Sequence, residues 1–343
     1  MKAIVIHEHG GLDKLKYEEV DKPKISPKEV LIQVKASSLN HLDIFVRNGI
    51  PGIKIPLPHI LGSDCSGIVA EVGSEVRRVK VGDRVTVNPG RWCGRCEFCV
   101  AGEQSLCPYF QIMGEHVDGA WAEFVKVPEE SVYPIPEGLS FEEAAAFPLV
   151  FLTAWRMLIT RAALKPGETV LIIGIGGGVA MAAMQIAKYA GAKVIVTSGS
   201  QEKLQKALSL GADVGINHRE QDFAAEIAKL TGKRGVDVVV DSVGADTWQK
   251  CILSLAKGGR LVTCGATSGP NPKEDLLRIF WKQLSILGST MGNQREFNEL
   301  LRAFDTGRLK PIIDQVYPLA EAAKALQRLE EQAQFGKIVL TVS

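Results

Sequence analysis

Cys93, Cys96, Cys99 and Cys107 follow the pattern Cys-x2-Cys-x2-Cys-x7-Cys. Four thiolates so close in sequence can close a tetrahedral zinc site in which every ligand comes from protein, the mark of a structural metal. Iron–sulfur clusters also use closely spaced cysteines, so the spacing alone leaves both metals open. A second group is Val170-Leu171-Ile172-Ile173 running into Gly174-Ile175-Gly176-Gly177-Gly178. A strand, a glycine turn and a helix start would aim free backbone N–H groups and a helix dipole at a pyrophosphate. Such a turn also serves plain strand–helix packing, and only its setting makes it a dinucleotide site. NAD sites usually place Asp or Glu about 20 residues further on, against the ribose. Here the second strand ends Val196-Thr197-Ser198-Gly199-Ser200, without a carboxylate. Ser198, Lys203 and His218 could accept a 2′-phosphate instead, which predicts NADP(H) over NAD(H), with NAD(H) still possible. The alternative is that Ser198 and Ser200 cap the next helix while Lys203 is solvated.

These groups need elements to hold them. The first third reads as short β-branched strands between turns: Ala3–Ile6, Glu29–Ala36, Ser66–Val72, Arg84–Val87 and Ala122–Val127. Residues 88–108 interrupt that barrel-like pattern with the cysteine lobe. Ser140-Phe141-Glu142-Glu143 has the form of a capping box and predicts an Ala-rich helix. From Thr169 the pattern alternates. Strands are expected at Val170–Ile173, Lys193–Thr197, Val236–Asp241, Arg260–Cys264 and Leu284–Leu287. Helices are expected at Val179–Ala190, Glu202–Leu210, Phe223–Lys229 and Thr247–Leu255. Alternation of this kind predicts an α/β fold with a doubly wound parallel sheet. It favours a dinucleotide at the glycine turn, and a lobe attached to a barrel beside such a domain favours zinc over iron. The tail from Glu296, with two helical stretches and a strand at Lys337–Val342, lies outside the alternation.

The 343 residues allow about two domains of ~150 residues each. Forty basic against 39 acidic side chains give a net charge of +1, which argues against a nucleic-acid or membrane-surface binder. A 46% hydrophobic and 23% charged composition excludes disorder as the main state. Seven cysteines, odd and sparse, do not suggest a disulfide scaffold. The apolar start Met1–Ile6 meets His7-Glu8-His9 too soon for a signal peptide. The uncharged run Thr169–Ala187 approaches the ~20 residues of a membrane span, but its glycines fit a strand-turn-helix better. These readings predict a cytoplasmic chain.

With Gly62-Ser63-Asp64-Cys65-Ser66-Gly67-Ile68-Val69, Val81-Gly82-Asp83-Arg84-Val85 and Leu152-Thr153-Ala154-Trp155, the whole chain resembles the medium-chain dehydrogenase/reductase superfamily. That superfamily covers zinc alcohol dehydrogenases, quinone reductases and enoyl reductases. The resemblance implies a GroES-like β-barrel catalytic domain over 1–150, a Rossmann domain over 151–290 and a return of 291–343 to the catalytic domain. It assigns cofactor contacts to Thr153, Gly174, Gly177, Gly178, Val179, Val243 and Gly265. Asp241 can equally serve turn chemistry.

Zinc-dependent members carry a second, catalytic zinc. The corresponding positions here are Asn40, Ser63 and Leu149, two poor ligands and one that is none. Asn40 matches the zinc-free quinone reductases, where its amide would donate to a substrate carbonyl. Asp43 and Asp64 stand beside it in the expected catalytic site. His41, Asp43, His59 and Asp64 could alternatively form a displaced metal site, or a hydrogen-bonded network holding the barrel loop. Phe45 and Pro51 stand where those reductases often carry tyrosines, which leaves the proton donor open, with water a candidate. The expectation is an NADP(H)-preferring oxidoreductase that moves hydride between nicotinamide and a small carbonyl compound, a quinone or enone. Its alternatives are an alcohol dehydrogenase with an atypical metal site and an idle cofactor-binding protein. The resemblance also implies a homodimer or homotetramer, with Leu284–Met291 near an inter-subunit sheet edge, and neither a nucleic-acid nor a membrane partner.

Overall fold

A computed structural model describes residues 1–342 and divides the chain into two compact units. One comprises Met1–Leu149 together with the chain from Asn293 onward, and the other Val150–Gly292.

The first unit is built on the ten-residue strand Glu29–Ser38. It pairs antiparallel with Asp64–Val72, Phe124–Pro128 and Lys337–Thr341. Arg84–Val87 and Val132–Pro134 extend the sheet on one side. On the other, Ile313–Pro318 runs parallel to Lys337–Thr341. A smaller sheet joins Lys2–Ile6 to Lys16–Glu19 and His59–Ile60. These strands, with Trp121 from the loop before Phe124–Pro128, bury Ile4, Ile32, Val69, Val85 and Trp121 in one core. The capping box forms: Ser140 Oγ accepts the Glu143 N–H and Glu143 returns to the Ser140 N–H. The helix it starts, Phe141–Ala145, is short, because Pro148 begins a separate helix, Pro148–Trp155. In the tail, helix Gln294–Asp305 stacks Phe297 and Phe304 on Phe147. The strand Ile313–Pro318 was not among the expected elements. Its polar residues and exposed positions lack the apolar alternation that marks a half-buried strand.

The second unit is a six-stranded parallel sheet. Numbered in chain order its strands are Thr169–Ile172, Lys193–Ser198, Val214–Asn217, Val236–Asp241, Leu255–Thr263 and Ser285–Gly288, and they lie 3-2-1-4-5-6. This is the doubly wound order in which ligands meet the carboxyl ends of the strands where the order reverses. Helices Gly178–Tyr189, Gln201–Ser209, Phe223–Leu230 and Trp248–Ser254 agree with expectation to within two residues. Three details differ. Val214–Asn217, the strand-like stretch just before His218, pairs as a full strand although it was not among the expected strands. The fifth strand begins five residues early, at Leu255, with a register shift opposite Val236 and Val238. Helix Leu276–Lys282 also appears; at seven residues it spans only about two turns, too short for a clear apolar stripe, and Asp275 caps it. Among the described residues no helix is long and apolar enough to cross a membrane.

Candidate functional site

The glycine turn joins the first strand to the twelve-residue helix Gly178–Tyr189. Gly174 and Gly176 have φ of +73° and +113°, which side chains rarely adopt. The turn is tied to the second strand, with Gly174 N–H on Thr197 Oγ1 at 3.2 Å and Ile175 N–H on the Thr197 carbonyl at 2.8 Å. Gly177 is the N-cap and brings no side chain to the helix's first N–H groups. A methyl group built at Gly174 or Gly177 would meet nothing nearer than 3.8 Å and 3.7 Å. Protein packing therefore does not fill the hollow above the turn, and its open N–H groups suit a pyrophosphate. Val179 lies in the helix's first turn. Asp241 does turn chemistry, its carboxylate accepting from Val243 N, Gly244 N and Thr247 Oγ1. Gly265 lies against the Ser242 carbonyl, 3.2 Å from where its Cβ would be. Thr153 is buried on helix Pro148–Trp155, its hydroxyl 3.8 Å from Met291 Sδ.

At the end of the second strand Ser200, and not Ser198, caps helix Gln201–Ser209. Ser200 Oγ accepts the Lys203 N–H, and Ser198 Oγ accepts the Ser200 N–H. The basic character predicted there comes from the third strand's end. A Cβ at Gly199 would lie 2.7 Å from Arg219 Nε and 3.1 Å from His218 Nε2. Burial, then the Arg219 and Lys250 charges, lower the His218 pKa. Arg219 was missed from sequence; its signal was its place directly after His218.

In the cysteine lobe the four sulfurs lie within 4.8 Å of one another. Zn–S bonds of about 2.3 Å in a tetrahedron put sulfurs roughly 3.8 Å apart, so the donor set fits zinc. The N–H groups of Cys93 and Tyr109 face Cys107 Sγ, and that of Cys96 faces Cys93 Sγ. Backbone N–H groups of Arg95 and Cys96 draw the Cys93 thiol down to about 6, toward the thiolate that a metal requires. Among the described residues this is the only group of three or more His, Cys, Asp or Glu placed to share a metal ion.

Asn40, Asp43 and Asp64 come together in the first unit, and a residue not expected from sequence joins them. Lys337, on the last strand, sends its ammonium to the Leu39 carbonyl at 2.6 Å, Asn40 Oδ1 at 2.6 Å and Asp64 Oδ2 at 3.2 Å. Asn40 Nδ2 donates to Asp64 Oδ2 at 2.8 Å, and Ser38 Oγ donates to the same oxygen at 3.0 Å. Asp64 Oδ1 takes the Leu149 N–H at 2.8 Å. Asp43, third residue of helix His41–Asn48, accepts from Asn40 N at 2.6 Å and Gly62 N at 3.2 Å. Both its oxygens hold backbone, so Asp43 fixes the loop as the network alternative supposed. Burial raises its carboxyl to about 7, against the pull of the Asn40 N–H, the Lys337 charge and the Gly62 N–H. Burial lowers the Lys337 pKa, opposed by Asp64 and Asp43. Gly62 lets this loop close: at φ +99° a Cβ would lie 2.2 Å from Trp121 Cδ1. Ser63 is fully buried and its hydroxyl has no partner. His41 packs on Phe45, and His59 sits 3.6 Å from Asp118, so neither histidine forms a metal set with the two aspartates.

Two family profiles match, "Alcohol dehydrogenase GroES-like domain" over residues 26–137 and "Zinc-binding dehydrogenase" over 178–306. An NAD-dependent alcohol dehydrogenase of Sulfolobus acidocaldarius is 35% identical over the full length of both chains. The human quinone oxidoreductase is 31% identical, covering 99% of this chain and 97% of its own. A crystal structure of an NAD-dependent alcohol dehydrogenase superposes with a TM-score of 0.97 at 47% identity over all of both chains. The chain is therefore an NAD(P)-dependent oxidoreductase, a member of the zinc-type medium-chain dehydrogenase/reductase superfamily.

Proposed function

We propose that this enzyme reduces a small conjugated carbonyl compound, a quinone or an enone, with NADPH and without a catalytic metal. The carrying observation is the Asn40 cluster. Of the three positions where zinc-dependent members of the superfamily hold their catalytic metal, Leu149 has no donor atom and Asn40 is bound to Lys337 and Asp64. Ser63 offers only a neutral hydroxyl, a poor zinc ligand, and the nearby carboxylates of Asp64 and Asp43 already accept internal N–H and O–H groups. The site thus holds a cation of its own, the Lys337 ammonium, where a metal ion would add a second one.

When bound, NADPH supplies the hydride. The second amide hydrogen of Asn40 donates to the carbonyl oxygen, where negative charge grows as hydride reaches the conjugated carbon. The enolate or hydroquinone anion then takes a proton from water, so that carbonyl compound, NADPH and a proton give reduced product and NADP+. Gly174, Gly177, Gly178 and Val179 hold the pyrophosphate, with Thr153, Val243 and Gly265 along the rest of the cofactor. Arg219 with His218 and Lys203 favours the 2′-phosphate; Ser198 shapes that turn by holding the Ser200 N–H. Cys93, Cys96, Cys99 and Cys107 hold a structural zinc, and the cytoplasm would keep them reduced. The chain works as a homo-oligomer.

A panel of quinones, enones and alcohols with both coenzymes tests the reading. Oxidation of NADPH by at least one quinone or enone, with negligible alcohol oxidation, is expected. Faster turnover of alcohols, in a protein with two zinc ions per chain, would establish a zinc alcohol dehydrogenase instead. Tight NADPH binding with no turnover on any compound would mark an idle cofactor-binding protein.

A further inference from the structure

We infer that Lys337 is a positioning residue for hydride transfer: it dictates which atom of the Asn40 amide is free to meet the substrate. The inference rests on Asn40 as the donor to the carbonyl oxygen. A carboxamide has an acceptor end and a donor end of nearly equal shape, and its neighbours decide which way it points. Asn40 has one neighbour that can only donate and one that can only accept. Lys337 Nζ faces Oδ1 at 2.6 Å, and Asp64 Oδ2 faces Nδ2 at 2.8 Å. Turned over, the amide would set N–H against ammonium and oxygen against carboxylate.

The rest of the cluster locks this arrangement. The three N–H groups of the ammonium are matched by the Leu39 carbonyl, Asn40 Oδ1 and Asp64 Oδ2. Asp64 is held by Ser38 Oγ and the Leu149 N–H. Lys337 and Asp64 are 4% and 0% exposed, so neither swings out to water. One amide hydrogen of Asn40 is taken by Asp64 and the other has no acceptor among the described residues. The network therefore presents a donor to the substrate. Loss of the ammonium frees the amide to present its oxygen, which repels a carbonyl oxygen as it gains charge. Lys337 lies 297 residues from Asn40 in the chain and touches it only because the last strand pairs with Glu29–Ser38.

The experiment is a double-mutant cycle on the full-length enzyme, with NADPH and the best carbonyl substrate from the panel. N40A and K337M are each expected to lower kcat by about 10- to 1,000-fold, as loss of an oxyanion donor does, with the KM for NADPH unchanged. In the N40A background K337M is expected to cost less than about twofold, because it acts through Asn40. If K337M costs as much there as in the wild type, or leaves kcat intact alone, Lys337 does not position the amide. If N40A itself keeps full kcat, the Asn40 reading fails, and with it the positioning role. Should K337M not fold, D64N replaces it in the same cycle, since an amide at 64 no longer dictates which atom of Asn40 it meets. The same non-additivity supports the inference and the same additivity overturns it.

Discussion

The proposed coenzyme preference turns on a single side chain, Arg219. Strand Lys193–Ser198 ends without a carboxylate, so nothing in the turn repels a phosphate at the ribose 2′ position. Gly199 leaves room for Arg219 Nε and His218 Nε2 to lean over the turn. A guanidinium forms charge-assisted, often bidentate bonds to phosphate, each contributing about 1.5–3 kcal/mol. Arg219→Ala should therefore raise the KM for NADPH by roughly 10- to 150-fold on that contribution and leave NADH kinetics within about twofold. Steady-state kinetics with the two coenzymes decide it; an equal loss with both would show that Arg219 does not read the 2′ position.

At the scale of elements, the cysteine lobe has little else to hold it. Between residues 88 and 112 regular structure amounts to the pairs Gly90–Arg91 and Gln111–Ile112, a four-residue helix and one 3-10 turn. Segments so poor in core depend on a cross-link, and structural zinc sites bind with roughly 10–16 kcal/mol of apparent free energy. The purified protein is expected to carry one zinc per chain and to be colourless. Cys107→Ser should abolish that zinc, lower Tm and open the lobe to proteolysis, measured by metal analysis, calorimetry and limited digestion. Visible absorption near 400 nm would identify an iron–sulfur cluster instead. A Cys107→Ser chain that kept both its zinc and its Tm would remove the lobe's structural role.

For the whole molecule the decisive surface is on the second unit. Its outermost strand, Ser285–Gly288, is unpaired on one side, and Ile286 is exposed there. The neighbouring helix Leu276–Lys282 leaves Leu276, Leu277, Phe280 and Trp281 at 61–72% exposure. An open strand edge beside so much bare apolar surface is a liability in a monomer and an asset in an assembly. A second copy pairing edge to edge would extend the sheet and cover that helix. Sedimentation should give a multiple of the 37.2 kDa chain mass, and Trp281→Glu should shift it toward the monomer. A monomeric wild type, or a Trp281→Glu protein that assembles as before, would exclude this face.

What the sequence determined by itself was chemistry packed into a few consecutive residues. Cys93 to Cys107, the turn Gly174–Gly178, the capping box at Ser140 and the run of strands and helices between 169 and 255 depend on spacing and local backbone preference. Those are properties a short stretch carries with it. The tertiary structure decided what depends on distant partners. Lys337 and Leu149 reach Asp64 across 273 and 85 residues, and Arg219 reaches Gly199 through the pairing of two neighbouring strands. The short strand Val214–Asn217 and the polar strand Ile313–Pro318 exist because a neighbour offers them a ladder, whatever their own pattern. The same holds for Asn40: its residue type was plain in the sequence, but which atom it shows a substrate follows from a buried ammonium and carboxylate that only the folded sheet brings to it.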